Sequence, residues 1–317
     1  MSVDRLTPGG GNPDFRAKTL VRAHSCVMFN NLSNGAKGAL CMIVGGLLMT
    51  IQDGISKWLT ADFHPGEIMF YRGLFTFVPI IAIIAAGTGG IRQLASRNLK
   101  GTMIRAALGA GTSIFVVISF IYLPLADALA IIFLSPIMLT ALSSPMLGEQ
   151  VGWRRWLAVI VGFAGLLLMV RPSGEGIPYY YFFPLFTALL LALRDVATRR
   201  LRNDDSSVSI LFYSMVAGIL VGAVSIPVFD AHLPSPTQWG LFAAAGILNS
   251  LSHLFMIQAL LLAPGGTMAP LRYLILVWAA VIGYAIWGDV PDAWKLTGAA
   301  LVVGAGLFIL HRELSRR

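Results

Sequence analysis

The chain alternates long apolar stretches with short polar ones over most of its length. Helices of roughly 17–25 apolar residues match the hydrocarbon thickness of a bilayer. Such stretches predict ten spanning helices at about 37–58, 66–86, 102–122, 126–146, 153–171, 179–198, 208–229, 238–262, 267–287 and 294–311. The turns between them are short, so consecutive spans run antiparallel. Between the third and fourth only Leu123, Pro124 and Leu125 make the turn. Residues 1–36 are polar, with Pro8, Gly9, Gly10, Gly11 and Pro13, and read as a flexible cytoplasmic tail without the apolar core of a signal peptide. Residues 313–317 read as a short cytoplasmic tail at the other end.

Composition strengthens this picture. Of 317 residues, 56% are hydrophobic and only 12% are charged. Soluble domains carry about twice that share of charge. A chain this apolar needs lipid as its solvent, because helices satisfy their backbone polar groups internally. The net charge of +8 points to membrane orientation rather than to nucleic acid. With the N-terminus inside, seventeen of the 23 basic residues fall on the cytoplasmic side. They include Lys37, Arg92, Arg97, Lys100, Arg105, Arg154, Arg155, Arg199, Arg200 and Arg202. Only Lys57, Arg171 and Lys295 fall outside, which predicts an inner-membrane protein with both termini cytoplasmic. Trp58, Trp239, Trp287 and Trp294 sit at the predicted outer boundary, and Trp153 and Trp156 at the inner one.

The two halves resemble each other. Thr50–Leu59 aligns with Ala192–Leu201, placing Asp53 on Asp195 and Lys57 on Arg199. The same offset places Phe70 and Tyr71 on Phe212 and Tyr213. Slightly shifted, Pro124 falls on Pro264, and Gly148 and Glu149 on Gly288 and Asp289. Five spans per repeat turn the second copy upside down. The fold class is therefore an all-α integral membrane protein whose ten transmembrane helices form two inverted five-helix repeats, over 37–172 and 173–312. Inverted repeats suit carriers, because exchanging their conformations alternates access to a central site.

Pro124-Leu-Ala-Asp-Ala-Leu-Ala-Ile-Ile-Phe-Leu-Ser-Pro136, Leu147-Gly-Glu149 and Gly162-Phe-Ala-Gly165 in the first half, with Ala269-Pro-Leu-Arg-Tyr-Leu274 and Trp287-Gly-Asp289 in the second, resemble the drug/metabolite transporter superfamily in its ten-helix EamA-like branch. Within it, Ala269–Val277, Asp195 and Leu211-Phe-Tyr-Ser214 look like the S-adenosylmethionine uptake carriers. Leu271 and Ile275 stand where those carriers have Tyr and Glu. The resemblance implies a carrier of organic metabolites, with a cavity lined by spans one, three, four, six, eight and nine, and leaves the substrate open.

Ionisable side chains inside a span are costly and face a cavity or a partner. Arg272, followed by Tyr273 and preceded by Gly265, Gly266 and Pro270, either clamps a substrate carboxylate or phosphate or pairs internally with Asp195. Asp53 beside Gln52, and Asp195 beside Arg194, serve either coupling and gating or structural ion pairing, with Arg72 the expected partner of Asp53. Asn249, His253 and Gln258 make a polar stripe that lines a wet cavity or bonds between helices. Trp278, Phe120 and Tyr122 sandwich a planar substrate group or pack the bundle. Asp127 reads as a solvated helix start, Glu67 as interfacial, and Gly162, Gly165, Gly218 and Gly222 as sites of close helix approach.

No cofactor or metal is implied, and Cys26 and Cys41 build no metal cluster or disulfide framework. The partners expected are a small-molecule substrate and the lipid bilayer, with no nucleic acid. The chain lacks a Gly-x-x-x-x-Gly-Lys-[Ser/Thr] phosphate loop, His-Glu-x-x-His and Gly-x-Ser-x-Gly. A carrier using alternating access is the leading reading. An integral-membrane enzyme acting on a lipid or small metabolite is the alternative, and an ion channel fits less well because no stretch resembles a selectivity filter.

Overall fold

The computed structural model describes residues 34–86, 94–147, 153–170, 178–201, 207–226, 233–262 and 271–314. Eleven α-helices run through these residues. They are α1 (Asn34–Leu59), α2 (Pro65–Ala86), α3 (Leu99–Tyr122), α4 (Leu125–Ile132), α5 (Ser135–Leu147), α6 (Trp153–Val170), α7 (Phe182–Leu201), α8 (Ser207–Ser225), α9 (Pro236–Leu262), α10 (Leu274–Trp287) and α11 (Ala293–Leu314). A 3₁₀ turn at Tyr179–Tyr181 leads into α7. Each predicted span has its helix, and the fourth has two, α4 and α5. The N-terminal tail to residue 33 and the predicted Gly148, Glu149, Pro264, Gly265, Gly266 and Pro270 lie outside the described residues.

Among the described residues, four segments are long and apolar enough to cross a membrane on length and composition: Gly35–Leu59, Leu99–Tyr122, Tyr179–Thr198 and Pro236–Met256. Five shorter apolar helices accompany them among the described residues.

Local chemistry sets the helix ends. Asn98 caps α3, its side-chain oxygen accepting from Gly101 N at 3.1 Å. Leu123 turns extended (ψ 149°) because the following Pro124 disfavours helix, so α3 stops there and α4 restarts at Leu125. Glu67 is buried and accepts from His64 N at 2.8 Å, closing the first turn of α2. It is a cap, where the sequence suggested an interfacial charge. At the end of α10, Gly288 takes the left-handed φ of 71° and donates to Tyr284 O at 3.0 Å.

The fourth span breaks at Phe133 and Leu134. Pro136 has no N–H to give to the carbonyl of Ile132, so the regular ladder cannot pass through. In the second half, Leu271 and Arg272 are helical and Tyr273 interrupts the pattern before α10 begins. The spacing that aligns Gly148 with Gly288 also aligns Phe133 with Tyr273. Both halves therefore carry a discontinuity at the same place.

Helix packing follows the repeat. Exchanging α1, α2, α3, α4–α5 and α6 with α7, α8, α9, α10 and α11 maps the main packed pairs onto one another. α1 packs on α9 as α7 packs on α3. α2 packs on α9 as α8 packs on α3. α1 packs on α10 as α7 packs on α4 and α5. The pairs α2–α8, α4–α10 and α6–α11 map onto themselves.

Glycines admit two of these self-paired crossings. A Cβ on Gly165 of α6 would meet Gly298 O at 2.7 Å, and one on Gly298 of α11 would meet Gly165 O at 2.5 Å. A Cβ on Gly222 of α8 would meet Phe70 N of α2 at 2.7 Å. Gly218 has only an ordinary 3.9 Å neighbour, so the α8 approach rests on Gly222. The largest buried apolar cluster draws on α3, α4, α5, α6, α7, α10 and α11, hence on both halves.

Candidate solute pathway

Because α3 runs unbroken from Leu99 to Tyr122, its two termini mark opposite ends of the bundle. Near Tyr122, several helix ends are tied together. Lys57 at the end of α1 donates to Leu123 O at 3.1 Å and lies 3.5 Å from Asp289 Oδ2, just beyond α10. Its ammonium also stands 4.7 Å from the Trp287 ring centroid, and Trp58 packs against Trp287 at 6.3 Å. Asp127 of α4 accepts from Lys295 Nζ of α11 at 2.6 Å. It is buried and ion-paired, where the sequence suggested a solvated helix start. Two lysines thus clasp α1 to α10 and α4 to α11.

One turn deeper, Gln52, Asp53 and Ser56 of α1 meet Arg72 of α2. Gln52 Nε2 donates to Ser56 Oγ at 2.8 Å and Arg72 Nη1 donates to the same oxygen at 3.1 Å. Arg72 stands within electrostatic reach of Asp53, as the sequence suggested. Asp53 is only 6% exposed, so its carboxyl is shut away from water.

At the other end of the bundle a second guanidinium occupies a corresponding place. Arg105, in the second turn of α3, donates from Nε to Thr198 Oγ1 of α7 at 2.8 Å and from Nη1 to Ser214 Oγ of α8 at 2.6 Å. Both hydroxyls pass their own hydrogens to carbonyls of their helices, Thr198 to Arg194 O and Ser214 to Ile210 O. Their oxygens are thereby held as acceptors for the guanidinium. Arg194 lies against Asp195, with Nη2 3.2 Å and Nε 3.4 Å from Oδ1. Arg105 is within electrostatic reach of both.

The offset that places Asp195 on Asp53 places Thr198 on Ser56 and Ser214 on Arg72. The second half has a hydroxyl where the first has an arginine, and α3 supplies the missing guanidinium. Sequence reading counted Arg105 among the loop charges. Its signal was its position just inside an apolar run, which α3 extends to Leu99.

Unlike Asp53, the Asp195 side chain keeps 40% of its exposure, and Arg194 keeps 25%. A charged group facing hydrocarbon is costly, so this exposure marks water-accessible space. His253 of α9 lies within electrostatic reach of Arg194, Arg105 and Arg72. Its Nδ1 is 2.8 Å from Asn249 O. A carbonyl only accepts, so Nδ1 carries the hydrogen and Nε2 of the neutral ring is the acceptor. The side chain of Gln258, third in the stripe, lies outside the described residues.

The remaining predicted residues separate. Arg272 is exposed at the start of its span. Tyr273 packs on Phe133 with ring centroids 5.2 Å apart, and its hydroxyl stands against Gly306 of α11. Phe120 is buried in the apolar core. Tyr122 is exposed and stacks with Phe183 at 5.5 Å and with Tyr180 at 6.3 Å. The Trp278 indole N–H is buried with no acceptor among the described residues. A groove of about 480 Å³ runs between α10 and α11 with Ala126, Asp127 and Ala130 of α4 at its side. Its wall is apolar apart from Asp127, Lys295 and Tyr273, the last of which is the one predicted substrate residue among those that line it.

The family model for EamA-like transporters matches residues 36–171 and again 178–311. The chain belongs to the EamA-like transporter family. Family membership makes it a multi-pass membrane protein that transports small metabolites, with one family domain in each half. It is similar to an S-adenosylmethionine uptake transporter of Rickettsia prowazekii (strain Madrid E), 26% identical over 90% of this chain and 96% of the relative. A riboflavin transporter of Rhizobium johnstonii is 25% identical over 90% of this chain and 94% of its own length. The pseudopaline exporter CntI of Pseudomonas aeruginosa (strain UCBPP-PA14) is 27% identical over 84% and 94%. A solved crystal structure matches 89% of this chain and 98% of its own with a TM-score of 0.61 at 17% identity, a likeness of fold.

Proposed function

We propose that this protein is a secondary transporter that moves a small polar organic metabolite across the inner membrane by alternating access. S-adenosylmethionine or a related zwitterion or anion is the substrate class that the relatives favour. The observation that carries this reading is the polar path inside an otherwise apolar bundle, with Asp53 and Arg72 towards one end, Arg194 and Asp195 towards the other, and His253 within electrostatic reach of Arg72, Arg105 and Arg194.

The repeats are inverted in this reading, because five spans separate each helix from its counterpart. By the distribution of Lys and Arg, the Lys57 end faces outward and the Arg105 end faces the cytoplasm. The lysine clasps and the buried Asp53 then describe a closed outer side, and the exposed Asp195 an inner side open to water. Asp53, Gln52 and Arg72 act in gating with their counterparts Arg194 and Asp195. Arg272, Tyr273, Trp278, Asn249, His253, Tyr122 and Phe120 remain candidates for solute contact, and among them the unpartnered Trp278 N–H and the His253 Nε2 acceptor are best equipped for it.

The test is exchange in proteoliposomes loaded with S-adenosylmethionine, riboflavin or amino acids, with labelled solute outside. Saturable uptake stimulated by the same solute on the far side supports a carrier. Chemical conversion of the solute by purified protein, without exchange, supports the membrane-enzyme alternative.

A further inference from the structure

The two repeat-related clusters differ in their charge balance. In the Asp53 cluster one guanidinium, Arg72, faces one carboxylate. In the Asp195 cluster two guanidinia, Arg105 and Arg194, share one carboxylate among the described residues. Arg194 takes Asp195 directly, through both Nη2 and Nε. Arg105 is held by two neutral hydroxyls, Thr198 and Ser214. Hydroxyls orient a guanidinium without neutralising it. Of its five N–H donors, two are engaged among the described residues, which leaves both Nη2 hydrogens and one on Nη1.

A cationic group in a low-dielectric setting gains by accepting an anion. A guanidinium pinned by two hydroxyls is also pre-organised for bidentate capture of a planar carboxylate. Among the described residues Arg194 stands at ion-pair distance from Asp195, which leaves Arg105 with hydroxyl partners. The neighbouring Asp195 is open to water, which gives a solute a route in.

We infer that Arg105, set by Thr198 and Ser214, is the receptor for a carboxylate on the transported solute. The neighbouring Asp195 disfavours a second negative charge and so selects a zwitterion over a dianion. This inference rests on the transport reading above. It places the anion-recognising role on Arg105 of α3, whose repeat-related helix α9 carries no arginine, rather than on Arg272.

The experiment is thermal-shift binding on the purified full chain in detergent, using matched pairs with and without the carboxylate. The pairs are S-adenosylmethionine and its decarboxylated form, lysine and cadaverine, and phenylalanine and phenethylamine, with inorganic phosphate as a further probe. At least one carboxylate member stabilises the wild type, and its decarboxylated partner binds about tenfold or more weakly. Arg105→Gln abolishes that difference, Arg105→Lys restores part of it, and Arg272→Gln leaves it intact. Ser214→Ala, which keeps the guanidinium but removes a tether, gives an intermediate loss and guards against misfolding of the arginine variants.

Equal binding of both members of every pair overturns the inference while leaving transport in place. So does undiminished carboxylate binding by Arg105→Gln, or phosphate stabilising the chain as well as any carboxylate does. If no probe binds and none exchanges in proteoliposomes, the transport reading fails and the inference with it.

Discussion

Phe133 and Tyr273 stand ring to ring, centroids 5.2 Å apart, and occupy the same position in the two halves of the chain. Each sits at the break in its span, so the two discontinuities touch. Broken helices meeting at a repeat interface are where carriers place their moving parts, because interrupted backbone lets each half of a span tilt. The pair's coupling in a double-mutant cycle of Phe133→Leu and Tyr273→Leu is expected at about 0.5–1.5 kcal/mol, read from denaturation in detergent. Additive losses would mean the rings are neighbours without a joint role.

Tyr273 is held from behind as well. Its hydroxyl fills the space that a side chain on Gly306 would take. Gly306→Ala must displace the ring, so it is expected to reduce exchange while leaving expression near wild type. Gly304→Ala, with nothing within 4 Å of the added carbon, is the control and should be silent. Equal effects of the two substitutions would remove Tyr273 from the moving parts.

The α6–α11 crossing predicts a stability effect. Gly298→Ala places a methyl 2.5 Å from Gly165 O and from Met169 Cγ, and backbone cannot yield as a side-chain tip can. The expected loss is about 1–3 kcal/mol in thermal or denaturant unfolding. Gly240→Ala, in open space, should cost nothing and through helix propensity gain about 0.5–1 kcal/mol.

Charge balance at Asp53 makes a further prediction. Asp53→Asn removes the carboxylate within electrostatic reach of the Arg72 guanidinium, an expected loss of about 1–3 kcal/mol in denaturation. The double variant Asp53→Asn/Arg72→Gln should recover much of it. A double variant no better than the single would mean that Gln52 and Ser56 alone satisfy the arginine.

Much of the fold was legible in the sequence, because apolar length is a one-dimensional signal. The repeat was legible too, since Asp53 with Asp195 and Phe70 with Phe212 keep a constant offset. The break at Phe133 was not read, although Pro136 announces it. Pairings across the chain were harder. Lys57 with Asp289 and Asp127 with Lys295 join helix ends far apart in sequence, and only the packed bundle brings them together. Arg105 illustrates the limit. An arginine near the start of a span reads as an interfacial charge, and only the facing of α3 toward α7 and α8 turns it inward. Arg272 is a different case, since the glycines and proline that suggested a cavity beside it lie outside the described residues.

The account's central claim is alternating access around a site reached by both halves. The most direct test is counterflow in proteoliposomes preloaded with unlabelled S-adenosylmethionine and given labelled compound outside. The account predicts a transient, saturable overshoot of label that Arg105→Gln suppresses and Arg272→Gln does not. Uptake that rises linearly with concentration and ignores the internal solute would contradict it.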